Sequence, residues 1–510
     1  MKKLFIFFGL LIILAIGSWL RLSGIISNSF AFTYDVGRDM LAVENIVVNH
    51  KITLIGQTTG VEGIFYGPWW YFILSIPFFI FSGNPQGIAF FMAFIGIITI
   101  FLSYIVGEKI GGVFLGIIFS AFISISSIMV LSSSQIWNPN PIPFFVLLVF
   151  LMLYMLSFDS KPRTHGVRGK PKTSKAKYLF LLGLLLGITI DMEIVFGILL
   201  FLGTCISLIL IFRKRLRIKE VPFFALGLLF IFSPRIIFEV RHDFLMTKTF
   251  INAFSNGFMS PKHFSIFDAL FSKLGSLFNV WNATLAGQNS TVGFILIAFV
   301  SLCLLFFYKK IEDTQKQFMQ TIFIVIVIFL IGFIFLNQAI WPHYLVGIPV
   351  FYILLVSLII NTTKIVLKKS WVIFFILLVL FWINLNPMQV LDNIRKPIWE
   401  GNAAVYRNQV AVIDYVFNDA KGKDFKYIVY TPAVHDYTYR YLFSWYGKKK
   451  YSYIPGQKNT GLFYVILEPD YDLPFRLKDW LNDREDDGTI QKEKIVKGGI
   501  TVQTRILNIE

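Results

Sequence analysis

The sequence predicts a polytopic α-helical membrane protein that ends in a small polar α/β domain. Of its 510 residues 56% are hydrophobic and 15% are charged, and the mean hydropathy is +0.67. A soluble domain has no interior large enough to bury this much apolar surface. Long apolar runs recur up to residue 385, whereas the remaining residues alternate between polar strand-like and helix-like segments.

The formal net charge of +17 does not indicate a nucleic-acid-binding protein. Lys and Arg concentrate in short loops between apolar runs instead of forming one basic face. The four most basic loops are Lys161–Lys177, Arg213–Lys219, Lys309–Lys316 and Lys364–Lys369. Nucleic acid is therefore excluded as a partner, and membrane lipids are expected around the chain.

Eleven apolar runs are predicted to span the membrane. They cover residues 4–20, 86–107, 112–132, 142–157, 178–191, 194–212, 221–234, 291–308, 319–338, 343–360 and 371–385. A twelfth run, 69–83, is short, aromatic and interrupted by Pro77. If this run lies in the outer interface, all four basic loops fall on the same side as Lys2 and Lys3, as the positive-inside rule requires.

This topology places the N-terminus in the cytoplasm and the C-terminus outside. Three segments then lie outside the membrane: a first outer loop (21–85), a middle segment (235–290) and the C-terminal region. We interpret residues 1–385 as a transmembrane domain and residues 386–510 as an extracytoplasmic α/β domain.

The segment FTYDVGRDM places Asp35, Arg38 and Asp39 at the outer end of the first span. Charges so close to hydrocarbon are costly, which favours a functional explanation. Asp35 is the candidate general base, since an ionised carboxylate accepts a proton from a substrate hydroxyl. A helix cap with a local ion pair is the alternative, and Asp39 is interpreted mainly as support for the helix.

The segment SPRIIFEVRHDF, at the predicted outer end of the seventh span, carries Arg235, Arg241 and His242. Because guanidinium groups match phosphate oxygens in geometry and charge, these residues are the candidates for binding a lipid phosphate. Anchoring to the outer leaflet is the alternative.

Further polar side chains on the outer side are candidates for binding an acceptor or a metal ion. They are Glu62, Tyr66, Asp39, Asn138, Asn140, His343 and Tyr344. For two of them a structural role is the alternative: Glu62 as a solvated loop charge, and His343 as an interfacial hydrogen-bonding residue. The sequence requires no metal, although a divalent ion is compatible with it.

In this order and topology, the first-loop Asp, the Gly-Pro turn before an interfacial helix, the short SSSQIWNPNP loop, PRIIFEVRHDF and WPHYL resemble polytopic GT-C glycosyltransferases. The similarity is to the dolichyl-phosphate-mannose protein mannosyltransferase and aminoarabinose transferase group, glycosyltransferase family 39. It implies an enzyme of the cell envelope that uses a sugar on a polyprenyl phosphate, with Asp35 as its base. Two departures are Val36, where the family often has Glu, and the Asn138/Asn140 pair, where an acidic residue is frequent.

Two other functions are compatible with this composition. A transporter or flippase of lipid-linked sugars is the main alternative. Such a protein should carry charges near the membrane midplane and internal symmetry. In this sequence the acidic pair between apolar runs falls at a predicted outer turn, and no internal symmetry is found. A membrane-anchored scaffold is the third, and it explains neither the number of spans nor the outer arginines.

Overall fold

The computed structural model describes residues 2–157, 175–213, 216–255, 266–335, 340–368, 370–385, 401–456 and 461–507. Up to residue 385 the described chain is helical. The helices are α1 (Lys2–Ile26), α2 (Tyr34–Val47), α3 (Trp69–Ile80), α4 (Pro85–Gly111), α5 (Val113–Ile125), α6 (Ser127–Ser134), α7 (Ile142–Ser157), α8 (Ala176–Met192), α9 (Ile194–Ser207), α10 (Val221–Arg241), α11 (Leu245–Ser255), α12 (Ile266–Leu285), α13 (Ser290–Phe307), α14 (Asp313–Phe335), α15 (Ile348–Leu367) and α16 (Ser370–Leu385).

The predicted polytopic helical architecture is confirmed. Seven of the described helices are long and apolar enough to cross a membrane, or eight if the bent pair α5 and α6 is one span. Every one of the eleven predicted runs falls on helical structure in the described residues, although three helices, α7, α8 and α16, are shorter than a full span, with 16, 17 and 16 residues. The total of eleven spans and the interfacial position of α3 therefore remain predictions.

Arg21 lies in the last part of α1 and is buried. The chain bends by 62° between α5 and α6, which leaves carbonyl groups at the end of α5 without helical partners. Arg21 donates hydrogen bonds to two of them, Ile123 O at 3.0 Å and Ser124 O at 2.9 Å. In an apolar environment such groups must be satisfied internally, so Arg21 joins α1 to the bend.

Helices α8 and α10 approach each other closely through glycine. A Cβ atom on Gly183 would collide with the carbonyl of Phe224, and one on Gly227 with that of Phe180. The absence of side chains at these two positions permits backbone contact between the helices. As a result, the end of α8 and the later turns of α10, where Asp191 and Arg235 lie, face each other.

Helix α12 was not predicted, because it falls within the segment 235–290 that we expected to be an outer loop. Polar residues such as Lys273 and Asn282 interrupt its apolar positions, so it gives no continuous apolar run. Its buried face includes Leu277 and Trp281, and Tyr352 of α15 donates a hydrogen bond to Leu277 O at 3.3 Å. The structure thus adds an amphipathic helix to the helical bundle.

The C-terminal region contains a mixed four-stranded sheet with the strand order β1-β2-β4-β3. Its strands are β1 (Lys426–Tyr430), β2 (Leu462–Leu467), β3 (Thr489–Ile495) and β4 (Thr501–Ile506), and its helices are α17 (Tyr406–Ala420), α18 (Tyr437–Tyr446) and α19 (Pro474–Asn482). β1 and β2 are parallel, and the other pairs are antiparallel. The predicted small C-terminal α/β unit is confirmed, whereas the boundary at residue 386 lies outside the described residues.

This domain packs directly on the first outer loop. Ala31 forms an antiparallel bridge with Val405, and Phe32 N donates to Ala404 O at 2.8 Å. Gly37 lies against the backbone of Thr438 at the start of α18, where a Cβ atom would collide. The helix that carries Asp35 is therefore in contact with both the bundle and the C-terminal domain.

Candidate functional site

Two carboxylates share one guanidinium group at the start of α2. Arg38 Nη1 lies 2.8 Å from Asp35 Oδ1, and Arg38 Nη2 lies 2.8 Å from Asp39 Oδ1. The other Asp39 oxygen accepts a hydrogen bond of 2.7 Å from Trp70 Nε1 of α3. The Asp39 side chain is fully buried, whereas that of Asp35 is 20% exposed. Asp39 thus joins α2 to α3, and Asp35 remains accessible.

Burial raises the pKa of Asp35 above its ordinary value of 3.8, and the charge of Arg38 opposes part of this shift. The pKa of Asp39 is raised by the same cause. A carboxylate whose pKa is moved towards neutrality is a stronger base while it is still ionised at physiological pH. Asp35 combines this property with access to solvent.

Asp35 lines a cavity of about 570 Å³, a size in the range of small-molecule sites. Three segments far apart in sequence form its walls. The first outer loop contributes Asp35, the loop after α6 contributes Trp137, and the C-terminal domain contributes residues that include Gln409, Glu468 and Tyr471. The cavity therefore exists only because the C-terminal domain packs against the bundle.

A second charged group surrounds the turn between α8 and α9. Arg235 forms an ion pair with Asp191, whose side chain is fully buried. Tyr66 donates a hydrogen bond of 3.2 Å to Glu193 Oε2, and His343 Nε2 lies 4.0 Å from the same oxygen. Burial raises the pKa of Glu193 to about 7.

The two charged groups are neighbours. The ring of His343 contacts that of Trp137, with centroids 5.2 Å apart, and Trp137 lines the cavity beside Asp35. Gly67 lies directly against the Asp191 carboxylate, where a Cβ atom would collide. The Tyr66-Gly67-Pro68 turn of the first outer loop thus packs against the charged group at the α8–α9 turn.

The candidates on α10 occupy different surroundings. Arg235 is largely buried by its pairing with Asp191, and its Nε atom has no hydrogen-bond partner among the described residues. Arg241 and His242 are exposed at the end of the helix. Six residues separate the two arginines, which corresponds to about 9 Å along the axis and to different helix faces. Their joint phosphate-binding role remains a prediction.

The remaining candidates divide into buried and exposed side chains. Asn138 is buried and donates to Met192 O beside the second group, while Asn140 donates to Gln135 O at 3.0 Å. Glu62 is exposed at the tip of a hairpin-like turn. Tyr344 packs against the ring of His343, with centroids 4.4 Å apart. Asn138 and Asn140 thus hold backbone carbonyls, and their assignment to an acceptor or a metal stays a prediction.

Within the described residues no three His, Cys, Asp or Glu side chains form a group that can hold a metal ion. The metal requirement therefore stays open, as it was from the sequence. Four residues of the two charged groups and the cavity were absent from the sequence-based set: Asp191, Glu193, Gln409 and Glu468. Only Asp191 and Glu193 had a usable signal, because DME at 191–193 is an acidic pair between two apolar runs at a predicted outer turn.

Comparison with solved structures places this arrangement in a known fold. ArnT from Cupriavidus metallidurans bound to undecaprenyl phosphate superposes with a TM-score of 0.55 and 11% identity, covering 100% of this chain and 99% of that chain. Its apo state gives a TM-score of 0.56 with 11% identity and the same coverage. The Archaeoglobus fulgidus oligosaccharyltransferase AglB with an inhibitory peptide and a dolichol-phosphate gives 0.47, with 11% identity over 92% of this chain and 70% of that chain.

No protein-family model and no curated protein sequence matches the chain. At these identities the similarity concerns the fold, and the superposition on ArnT extends over practically the whole of both chains. The chain has the fold of the GT-C membrane glycosyltransferases, as the resemblance in its sequence implied.

Proposed function

We propose that the protein is an integral-membrane glycosyltransferase that moves a sugar from a polyprenyl-phosphate donor to a hydroxyl group of an acceptor outside the membrane. One observation carries this proposal: Asp35, whose pKa is raised by burial, lines a cavity at the mouth of the first span. The GT-C fold supports the donor class, since the similar ArnT structure is bound to undecaprenyl phosphate.

The proposed step is a direct displacement at the anomeric carbon. Asp35 accepts the proton of the acceptor hydroxyl while the oxygen of that hydroxyl forms a bond to the anomeric carbon. The bond from the anomeric carbon to the phosphate oxygen breaks, and the electron pair leaves with polyprenyl phosphate. Positive charge near the departing phosphate stabilises this step, and we assign this role to the exposed Arg241 with His242. Arg235, which is paired with Asp191, positions the helix that carries them.

The transporter alternative is less well supported by the described residues. The buried arginine of the first helix, Arg21, is engaged by carbonyl groups at the bend of α5 and α6. Asp191 and Arg235 neutralise each other at one end of their helices, beside the outer loop turn at Gly67. Such fixed pairs are typical of structural joints, whereas a transport pathway needs charges that exchange partners.

Replacement of Asp35 tests the proposal. Asp35→Asn keeps the shape of the side chain but removes the proton acceptor, so turnover with a polyprenyl-phosphate sugar should fall by roughly 100-fold or more. Donor binding and the thermal midpoint should remain unchanged. Asp414→Asn is the matched control, because Asp414 contacts Lys450 and Tyr451 in the C-terminal domain and does not line the cavity. Full turnover by Asp35→Asn would refute the mechanism.

The proposed orientation is tested by labelling. In a variant without native cysteines, His165→Cys should be protected from an impermeant thiol reagent added outside, and Lys450→Cys should react. Labelling of both from one side would contradict the eleven-span topology.

A further inference from the structure

The cavity beside Asp35 has a polar wall that the transfer step does not use. Glu468 follows directly on β2, and its Oε1 accepts hydrogen bonds from Tyr439 at 2.9 Å and Gln409 Nε2 at 3.3 Å. Both Glu468 and Gln409 are largely buried, at 6% and 2% exposure. Both also line the cavity, as Trp137 does.

Gln409 is incompletely satisfied. Its amide nitrogen is bonded to Glu468, but its buried Oε1 has no hydrogen-bond partner among the described residues. Buried polar atoms are nearly always paired, and leaving one unpaired costs about 1–3 kcal/mol. Because Gln409 belongs to the cavity lining, a ligand hydroxyl group that reaches its Oε1 would satisfy this acceptor.

The same wall presents flat rings. Tyr471 lines the cavity with 79% of its surface exposed, so its ring is accessible to a ligand there. His435, also in the lining, stacks on Tyr437 with ring centroids 5.1 Å apart, and Trp137 is a further aromatic residue of the lining. Rings of this kind pack against the apolar C–H face of a sugar, while its hydroxyl groups point to polar side chains.

We propose that this cavity is the acceptor site and that the acceptor is a saccharide. Its hydroxyl groups donate to Glu468 Oε and Gln409 Oε1, its ring packs on Tyr471 and Trp137, and one further hydroxyl reaches Asp35. This inference rests on the proposed transferase function and adds the acceptor class to it. The aromatic rings in the same lining favour a saccharide, and a peptide is the alternative acceptor that the test below examines.

The test measures binding of simple sugars without any donor, so that catalysis is not involved. Saturation-transfer NMR on the purified full chain in lipid nanodiscs is recorded with a panel of methyl hexosides and with a Ser/Thr-containing hexapeptide. At least one hexoside should bind, and the hexapeptide should not. Gln409→Leu and Tyr471→Ala should weaken that binding by about tenfold or more.

Tyr471→Ala is included because an exposed ring can be removed without unfolding the protein. The thermal midpoint of each variant serves as a check of folding, and Asp414→Asn serves as the control outside the cavity. Binding of the hexapeptide alone, binding of no hexoside, or hexoside binding that survives both Gln409→Leu and Tyr471→Ala would overturn the inference. Turnover by Asp35→Asn, measured separately, decides the transferase mechanism itself.

Discussion

The two charged groups of the site use the same chemistry in opposite ways. In the α2 group, Arg38 is shared by two carboxylates of its own helix, and Asp35 stays 20% exposed. In the group at the α8–α9 turn, Arg235 pairs with Asp191 across 44 residues, and the Asp191 side chain is fully buried. A charge near the membrane surface is therefore not by itself a functional group.

What separates the groups is the number of elements that each pair holds together. The Arg235 pair joins α8 to α10 and lies beneath the Gly67 turn, so its main effect is on structure. The Arg38 pair with Asp35 lies within a single turn of α2 and joins no second element, so its effect on the fold is local. Asp35 is therefore available for chemistry.

The largest effect on stability is expected for Asp191→Asn. This variant leaves Arg235 largely buried without its counter-charge, which should lower the free energy of unfolding by roughly 3–5 kcal/mol. Denaturation of the purified protein in mixed detergent micelles measures it. The double variant Asp191→Asn/Arg235→Met should recover much of the loss, and a double variant as unstable as the single one would show that the pair is not a structural joint.

A smaller loss of stability is expected for Asp39→Asn. The amide still accepts a hydrogen bond from Trp70, but the charge that faces Arg38 is lost in a buried position, at a cost of about 2 kcal/mol. Turnover of the folded protein should decrease much less than in Asp35→Asn. If Asp39→Asn abolishes turnover in a protein of normal thermal midpoint, the base lies one helical turn further along α2.

Arg241→Ala tests whether the exposed arginine of α10 binds the donor phosphate, since Arg235 of the same helix is paired with Asp191. If Arg241 contacts the donor phosphate, the variant should bind a polyprenyl phosphate roughly tenfold more weakly at an unchanged thermal midpoint, because one charge-assisted hydrogen bond is lost. Equilibrium binding of undecaprenyl phosphate in nanodiscs measures this. Unchanged binding would assign Arg241 to anchoring at the membrane surface.

The smallest effect is a shift in pH dependence. Asp35 must be ionised to act as a base, and burial raises its pKa above 3.8. In a plot of kcat/KM against pH, activity should therefore fall along an acidic limb whose midpoint lies above pH 3.8. Arg38→Gln should move the limb to higher pH, because the charge of Arg38 lowers the pKa of Asp35. Glu193→Gln should leave the limb in place, and a limb that disappears in this variant belongs to Glu193.

The membrane class, the positions of the long helices and the small α/β region at the C-terminal end could be predicted from the sequence alone. These follow from local properties, namely the length of an apolar run and the alternation of polar and apolar residues. The sequence did not predict α12, because Lys273 and Asn282 interrupt its apolar face. This face is recognisable only where α15 packs against it. The sequence did indicate Asp35 as a functional residue, because a carboxylate close to hydrocarbon costs free energy and is rarely placed there without a function.

Only the tertiary structure decided which charged residues are engaged and where the cavity lies. Glu468 and Gln409 reach the neighbourhood of Asp35 from more than 370 positions away along the chain, through packing of α18 on Gly37. Arg235 meets Asp191 because glycines let α8 and α10 approach. Such pairings depend on how helices cross and on which residues are small enough to permit contact, and no local pattern of hydrophobicity or charge carries that information.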